Sequence, residues 1–132
     1  MFAINLVLNF IFNAIFGEQQ NPVADELSTA GIIFLGILFV PYIETFLCQA
    51  LPIWVLRKLI KRPRYNLIPC ILVSAIIFGL QHTYSWQYML GTFIFGIPMA
   101  ALYYLCRYRR ENAFIVVFAY HALWNAFGFL LD

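Results

Sequence analysis

Glu44 is the only charged residue between Glu26 and Arg57, in an apolar stretch interrupted by Pro41 and Pro52. An ionised carboxylate in hydrocarbon costs several kcal/mol, so such a residue faces a cavity or a polar partner and is a functional candidate by default. The plainer alternative is a protonated glutamic acid donating a hydrogen bond between helices. In Phe78-Gly79-Leu80-Gln81-His82 an aromatic ring and an imidazole are four residues apart, and His121 and Asn125 repeat that spacing. On a helix each pair projects from one face. A lone histidine near a helix end is commonly a packed or interfacial residue, whereas two polar groups converging at mid-membrane need a reason.

Together these groups form a hydrolase inventory. A carboxylate can take a proton from water, an imidazole can position that water or protonate a leaving amine, and an Asn amide can stabilise an oxyanion. No Gly-x-Ser-x-Gly elbow is present, and Cys48 has no activating partner beyond Glu44 one turn before it, so a Ser or Cys nucleophile is not supported. Glu44, His82 and His121 could hold zinc with an open position, but the His-Glu-x-x-His signature is absent and a metal-free glutamate mechanism is favoured.

The elements that must carry these residues follow from composition. Of 132 residues, 64% are hydrophobic and 11% are charged. A soluble domain carries roughly a quarter of its residues as charges, so an ordinary soluble domain is excluded and lipid is the expected solvent. Runs near the roughly 20 apolar residues that cross a bilayer extend over Ala30–Leu56, Leu67–Gln81, Trp86–Cys106 and Ala113–Leu131, with a shorter one at Met1–Phe16. The spacing predicts an all-α polytopic bundle of four full spans and a short N-terminal helix. The third run is marginal in length, opens with Pro69 near its first turn, and is expected to extend past His82.

All eight basic residues fall in two links. Arg57, Lys58, Lys61, Arg62 and Arg64 occupy one, and Arg107, Arg109 and Arg110 the other. If every run crosses, both links lie on one face, which the positive-inside rule makes cytoplasmic. The acidic link with Glu18, Asp25 and Glu26 then lies outside, and the N-terminus is predicted cytoplasmic. Glu111 and Asp132 lie at helix ends. Counting 1.5 Å per residue from Arg57, Asn66 and Asn112 puts Glu44 roughly 20 Å up, His82 roughly 24 Å, His121 roughly 14 Å and Asn125 roughly 20 Å, which permits one shared layer.

Other features read as scaffold. Met1–Phe16 lacks a basic n-region and a cleavage site, so it is expected to be retained. Asn5, Asn9 and Asn13 recur every four residues and want partners across a helix interface or among headgroups. Gly31, Gly36, Gly91, Gly96 and Ala100 allow close helix approach. Cys48, Cys70 and Cys106 are odd in number and unpaired in spacing, the pattern of buried inert thiols.

The three polar stretches together resemble the CPBP family of intramembrane proteases, which includes the CAAX prenyl endopeptidases and the bacterial Abi proteins. The family pattern is Glu-Glu-x-x-x-Arg soon after a Pro, then Phe-x-x-x-His, then His-x-x-x-Asn. Pro41 to Gln49, Phe78 to His82 and His121 to Asn125 supply the three in order. The resemblance covers about Gly31 to Leu131 and implies one transmembrane domain over residues 1–132, with a protease-like core at 30–131. It implies that Glu44 with His82 activates water, that His121 and Asn125 stabilise the oxyanion, and that Thr45, Gln49 and Phe78 support them. Thr45 and Gln49 replace the second Glu and the Arg; they are four apart, and both are neutral groups able to hydrogen-bond in place of an ion pair.

The implied substrate is a membrane-associated peptide of CAAX, signal or bacteriocin type, and the implied location a bacterial inner membrane. The chain is short for the family, so partner helices or a homo-oligomer would complete the bundle. The competing reading is a non-catalytic immunity or peptide-binding protein of the same fold. A bis-His haem on His82 and His121 leaves Glu44 and Asn125 unexplained. A proton path through Glu44 lacks further relay groups. Nucleic acid is not expected, because membrane orientation and anionic headgroups account for the basic links.

Overall fold

The computed structural model describes residues 1–18 and 28–131, the last by its backbone alone. Asp25, Glu26 and Asp132, given boundary roles above, lie outside the described residues. Among the described residues the structure is helical without strands: α1 (Phe2–Phe16), α2 (Thr29–Leu59), α3 (Pro63–Leu80), α4 (Trp86–Tyr108) and α5 (Ala113–Leu131). Helices α2 to α5 are each long and apolar enough to cross a membrane, and α1 is a shorter apolar helix. The chain is a multi-pass membrane protein.

Local chemistry starts the spans. Ser28 accepts the Gly31 N–H at 3.2 Å, Ser85 accepts the Tyr88 N–H at 3.0 Å, and Asn112 accepts the Ile115 N–H at 3.3 Å. Helix α3 departs from expectation at both ends. Pro63, rather than Pro69, occupies the first turn, and Pro69 lies inside the helix. The helix stops at Leu80, and His82 sits beyond it in a turn closed by its own N–H on the Gly79 carbonyl at 3.0 Å. The short link ahead leaves Ser85 free to cap α4, which ends the preceding helix early.

Helix α2 contains two π-helical stretches, Ile32–Phe39 and Thr45–Ala50. Each runs up to a proline, and the hydrogen-bond register explains the pairing. Val40 donates to Leu35, five residues back, so the next carbonyl in that series is Gly36 and its donor would be residue 41. Pro41 has no N–H. The side chain of Asn125 on α5 takes the freed Gly36 carbonyl at 2.8 Å. Near Pro52, Ser74 on α3 donates its hydroxyl to the Cys48 carbonyl of the second π stretch at 2.5 Å. In lipid a lost backbone bond must be remade within the protein, and at Gly36 the neighbouring helix α5 remakes it.

Packing does the rest. A Cβ on Gly79 would lie 2.8 Å from the Phe93 Cβ and 3.0 Å from the Met89 carbonyl, so α3 and α4 meet nearly backbone to backbone. Gly96 opens a second such contact, against Ala75 and Phe78. At the basic end the buried cluster includes Ile53, Cys70, Met99, Ala113 and Val117. There Asn66 donates to the Ile60 carbonyl at 2.8 Å and accepts the Tyr104 hydroxyl at 2.5 Å. Helix α1 lies on the opposite half of the bundle, with Phe12 over Gly91 and Phe16 edge-on to Trp86. Asn5 finds the expected interhelical partner, donating to the Tyr120 hydroxyl at 2.6 Å, whereas Asn9 is exposed.

Candidate functional site

Glu44 stands between the two π stretches of α2, at the end of the α-helical turn Val40–Glu44. Its carboxylate faces two imidazoles at once: Oε1 lies 3.5 Å from His82 Nε2, and Oε2 lies 3.5 Å from His121 Nε2. His121 is buried, and the Glu44 and His82 side chains are largely so, with 13% and 16% exposure. The ring of Phe78, itself buried, packs against both histidines with centroids 5.0 Å and 5.4 Å away. Three helices and one turn thus bring together Glu44, His82, His121 and Phe78.

The His82 tautomer follows from its other nitrogen. Nδ1 lies 2.8 Å from the Phe78 carbonyl, which can only accept, so Nδ1 carries the proton. His82 lies past the end of the α3 span. Burial pushes this imidazole below its usual range, the bond to the Phe78 carbonyl opposing that, and a neutral ring results at pH 7. Its Nε2 then presents a lone pair to Glu44 Oε1. With Glu44 ionised, two acceptors face one another across 3.5 Å, and a donor with two hydrogens, such as water, beside both would satisfy them. His121 Nδ1 is buried without a partner among the described residues.

Asn125 is one turn from His121, but its amide nitrogen is engaged with Gly36, leaving one of its two hydrogens for other use. Thr45 and Gln49 are fully buried, and among the described residues neither the Thr45 hydroxyl nor the Gln49 amide has a hydrogen-bond partner. The expected local bond between them does not form. Both lie in the π stretch Thr45–Ala50. No set of three His, Cys, Asp or Glu groups able to hold a metal occurs among the described residues.

Several neighbours were not legible from the motifs. Ser74 is one, although its spacing of four from Phe78 and eight from His82 puts it on their helical face. Gln81 donates its amide to the Cys48 thiol, and the Tyr88 ring stacks on His82 at 5.7 Å. Phe95 packs 6.2 Å from the His121 ring. None of these carries a sequence signal stronger than an ordinary core aromatic or helix polar residue.

The family profile for type II CAAX prenyl endopeptidases, Rce1-like, matches residues 26–127. The chain belongs to this Rce1-like family. The match takes in all three motif stretches and the helices that carry them, in agreement with the resemblance read from Glu44, His82, His121 and Asn125. At family level the Rce1-like chain is a CAAX-type intramembrane protease. No curated protein and no solved structure gives a match.

Proposed function

We propose that this chain is an endopeptidase in which Glu44 and His82 activate a water that attacks a peptide carbonyl within the membrane. The observation that carries the reading is the pair of acceptors, Glu44 Oε1 and the His82 Nε2 lone pair, facing one another across 3.5 Å. A water beside both donates one hydrogen to each, which turns its own lone pairs outward toward a substrate. In the attack the water loses a proton to this pair as its oxygen bonds the carbonyl carbon. His121 and the second amide hydrogen of Asn125 then stabilise the oxyanion. When the carbon–nitrogen bond breaks, the proton held by the pair passes to the leaving amine. Phe78 fixes both imidazole rings, and no metal is needed for the scheme.

The place of the site in the bundle bears on substrate and side of entry. From Pro63 at the basic end, α3 runs about 27 Å before His82, most of the roughly 30 Å hydrocarbon thickness. The turn holding His82 is flanked by exposed Tyr84 and Trp86, residues typical of an interface belt. With the basic links cytoplasmic, the substrate is a membrane-associated peptide reaching the site from the opposite face. On that assignment the N-terminus points to the cytoplasmic side, because α1 ends beside Trp86.

The test is Glu44→Gln, which keeps size and removes the base. Membrane peptides compared between cells with wild type and variant should show a precursor that accumulates only with the variant, with turnover down about 10²- to 10⁴-fold. Unchanged profiles would move the assignment to the non-catalytic immunity reading. Activity lost to a chelator and regained with zinc would replace the metal-free scheme by one with zinc on Glu44, His82 and His121. For the side of entry, Thr83→Cys should react with a membrane-impermeant maleimide on intact cells; labelling only after permeabilisation reverses the assignment.

A further inference from the structure

A cavity lies away from the protease site, at the basic end of the bundle between α2 and α4. Its volume is about 620 Å³. Phe46, Ala50, Leu51 and Ile53 form an apolar wall, and Arg57, Lys58 and Arg107 stand at its mouth. No carboxylate pairs with these three cations among the described residues, where the exposed Arg–Glu pair is Arg109 with Glu111. Aromatic rings hold two of them instead: Lys58 Nζ is 3.8 Å from the Trp54 ring centre, and the Arg57 guanidinium is 5.5 Å from that of Tyr104. The cations are therefore positioned while their charge stays uncompensated.

We infer that this cavity binds one anionic phospholipid of the basic-side leaflet, its phosphate between Arg57 and Arg107 and an acyl chain along the apolar wall. Three observations select that occupant. The cations stand where the spans end, at the depth of lipid headgroups. Phe46, Leu51 and Trp54 are about half exposed on the outer surface of the bundle, so the cavity opens sideways to lipid. Charge and polarity change together along the cavity, apolar inside and cationic at the mouth, which matches an acyl chain below a phosphate. The site is separate from the protease centre. Arg57 is thirteen residues from Glu44, about 20 Å along α2. A peptide held by its C-terminal carboxylate at Arg57 would reach Glu44 only about six extended residues from its end.

The full chain, reconstituted in vesicles of equal phosphatidylglycerol and phosphatidylcholine and then extracted in mild detergent, is examined by native mass spectrometry. Wild type should retain one phosphatidylglycerol and no phosphatidylcholine. Arg57→Gln with Arg107→Gln should lower retention about thirty-fold, the worth of two cations at an anionic headgroup. Lys61→Gln with Arg62→Gln removes the same charge from the same face outside the cavity and should leave retention unchanged. Equal loss in both double variants would mean diffuse attraction to the surface and overturns the site. Retention of phosphatidylcholine by wild type overturns it without any variant, so the outcome does not depend on the variants folding. Displacement of the lipid by a peptide acid but not its amide would also overturn it, by making the cavity a substrate-carboxylate pocket.

Discussion

Removing the Asn125 amide tests the link between the prolines of α2 and the site. Asn125→Ala leaves the Gly36 carbonyl without its donor, because Pro41 cannot replace it. An unpaired buried carbonyl costs about 1–3 kcal/mol, and interhelical hydrogen bonds in membranes are worth up to about 1.7 kcal/mol. A loss of about 1–2 kcal/mol is expected, near 4 °C in melting temperature per kcal/mol for a chain of this length. Pro41→Ala restores a backbone N–H in register with Gly36. The buried proline ring is lost whether or not Asn125 is present, so its packing cost cancels in the double-mutant cycle. Asn125→Ala should therefore cost about 1 kcal/mol less in the Pro41→Ala background than in the wild-type chain. Thermal unfolding of the four proteins in one detergent measures the coupling. Additive losses would refute the idea that Asn125 acts on the carbonyl that Pro41 frees. Peptidase activity separates two roles for this amide. If the double variant regains stability but not turnover, Asn125 also touches the oxyanion; if it regains both, Asn125 is a positioning residue.

Other changes read different parts of the fold. Gly79→Ala should cost about 1–3 kcal/mol and lower the melting temperature, since the new methyl would meet the Phe93 Cβ at 2.8 Å and backbone has little room to yield. Arg110 closes α4 with φ 62, a left-handed conformation suited to glycine, so Arg110→Gly should stabilise by about 0.5–1 kcal/mol in the same assay. Burial lowers the His82 affinity for protons, so the unfolded chain binds more of them below about pH 6.5 and stability falls as pH drops through that range. His82→Gln should reduce that slope between pH 7 and pH 5; an unchanged slope would assign it elsewhere.

The spans, the two basic links and the coincidence of Glu44, His82 and His121 in one layer are legible from sequence. Scarce charges in an apolar chain have few places to go, and a count of rise per residue is enough to align them. The depth count for Asn125 was also compatible, yet its bond to Gly36 depends on whether α2 closes its turns at four residues or five, a choice that neither composition nor periodicity expresses. The same holds for Ser74, a helix serine whose bond to the Cys48 carbonyl depends on how α2 winds beside it. Thr45 and Gln49 invite pairing at helical spacing, yet among the described residues they do not pair. The limits of α3 shifted because Ser85 had a use as a cap that the apolar run itself does not reveal.

The two ties on α2 have a consequence for biogenesis. Each leads to a helix that carries one of the histidine motifs: Ser74 to α3, ahead of His82, and Asn125 to α5, beside His121. During synthesis α2 precedes both, and until they arrive it is a membrane helix whose Gly36 carbonyl lacks a backbone donor. Only after the last span has docked is the Gly36 carbonyl satisfied and Glu44 held from both sides. Because His121 lies on that last span, the site proposed around Glu44 is complete only once all the spans are in place.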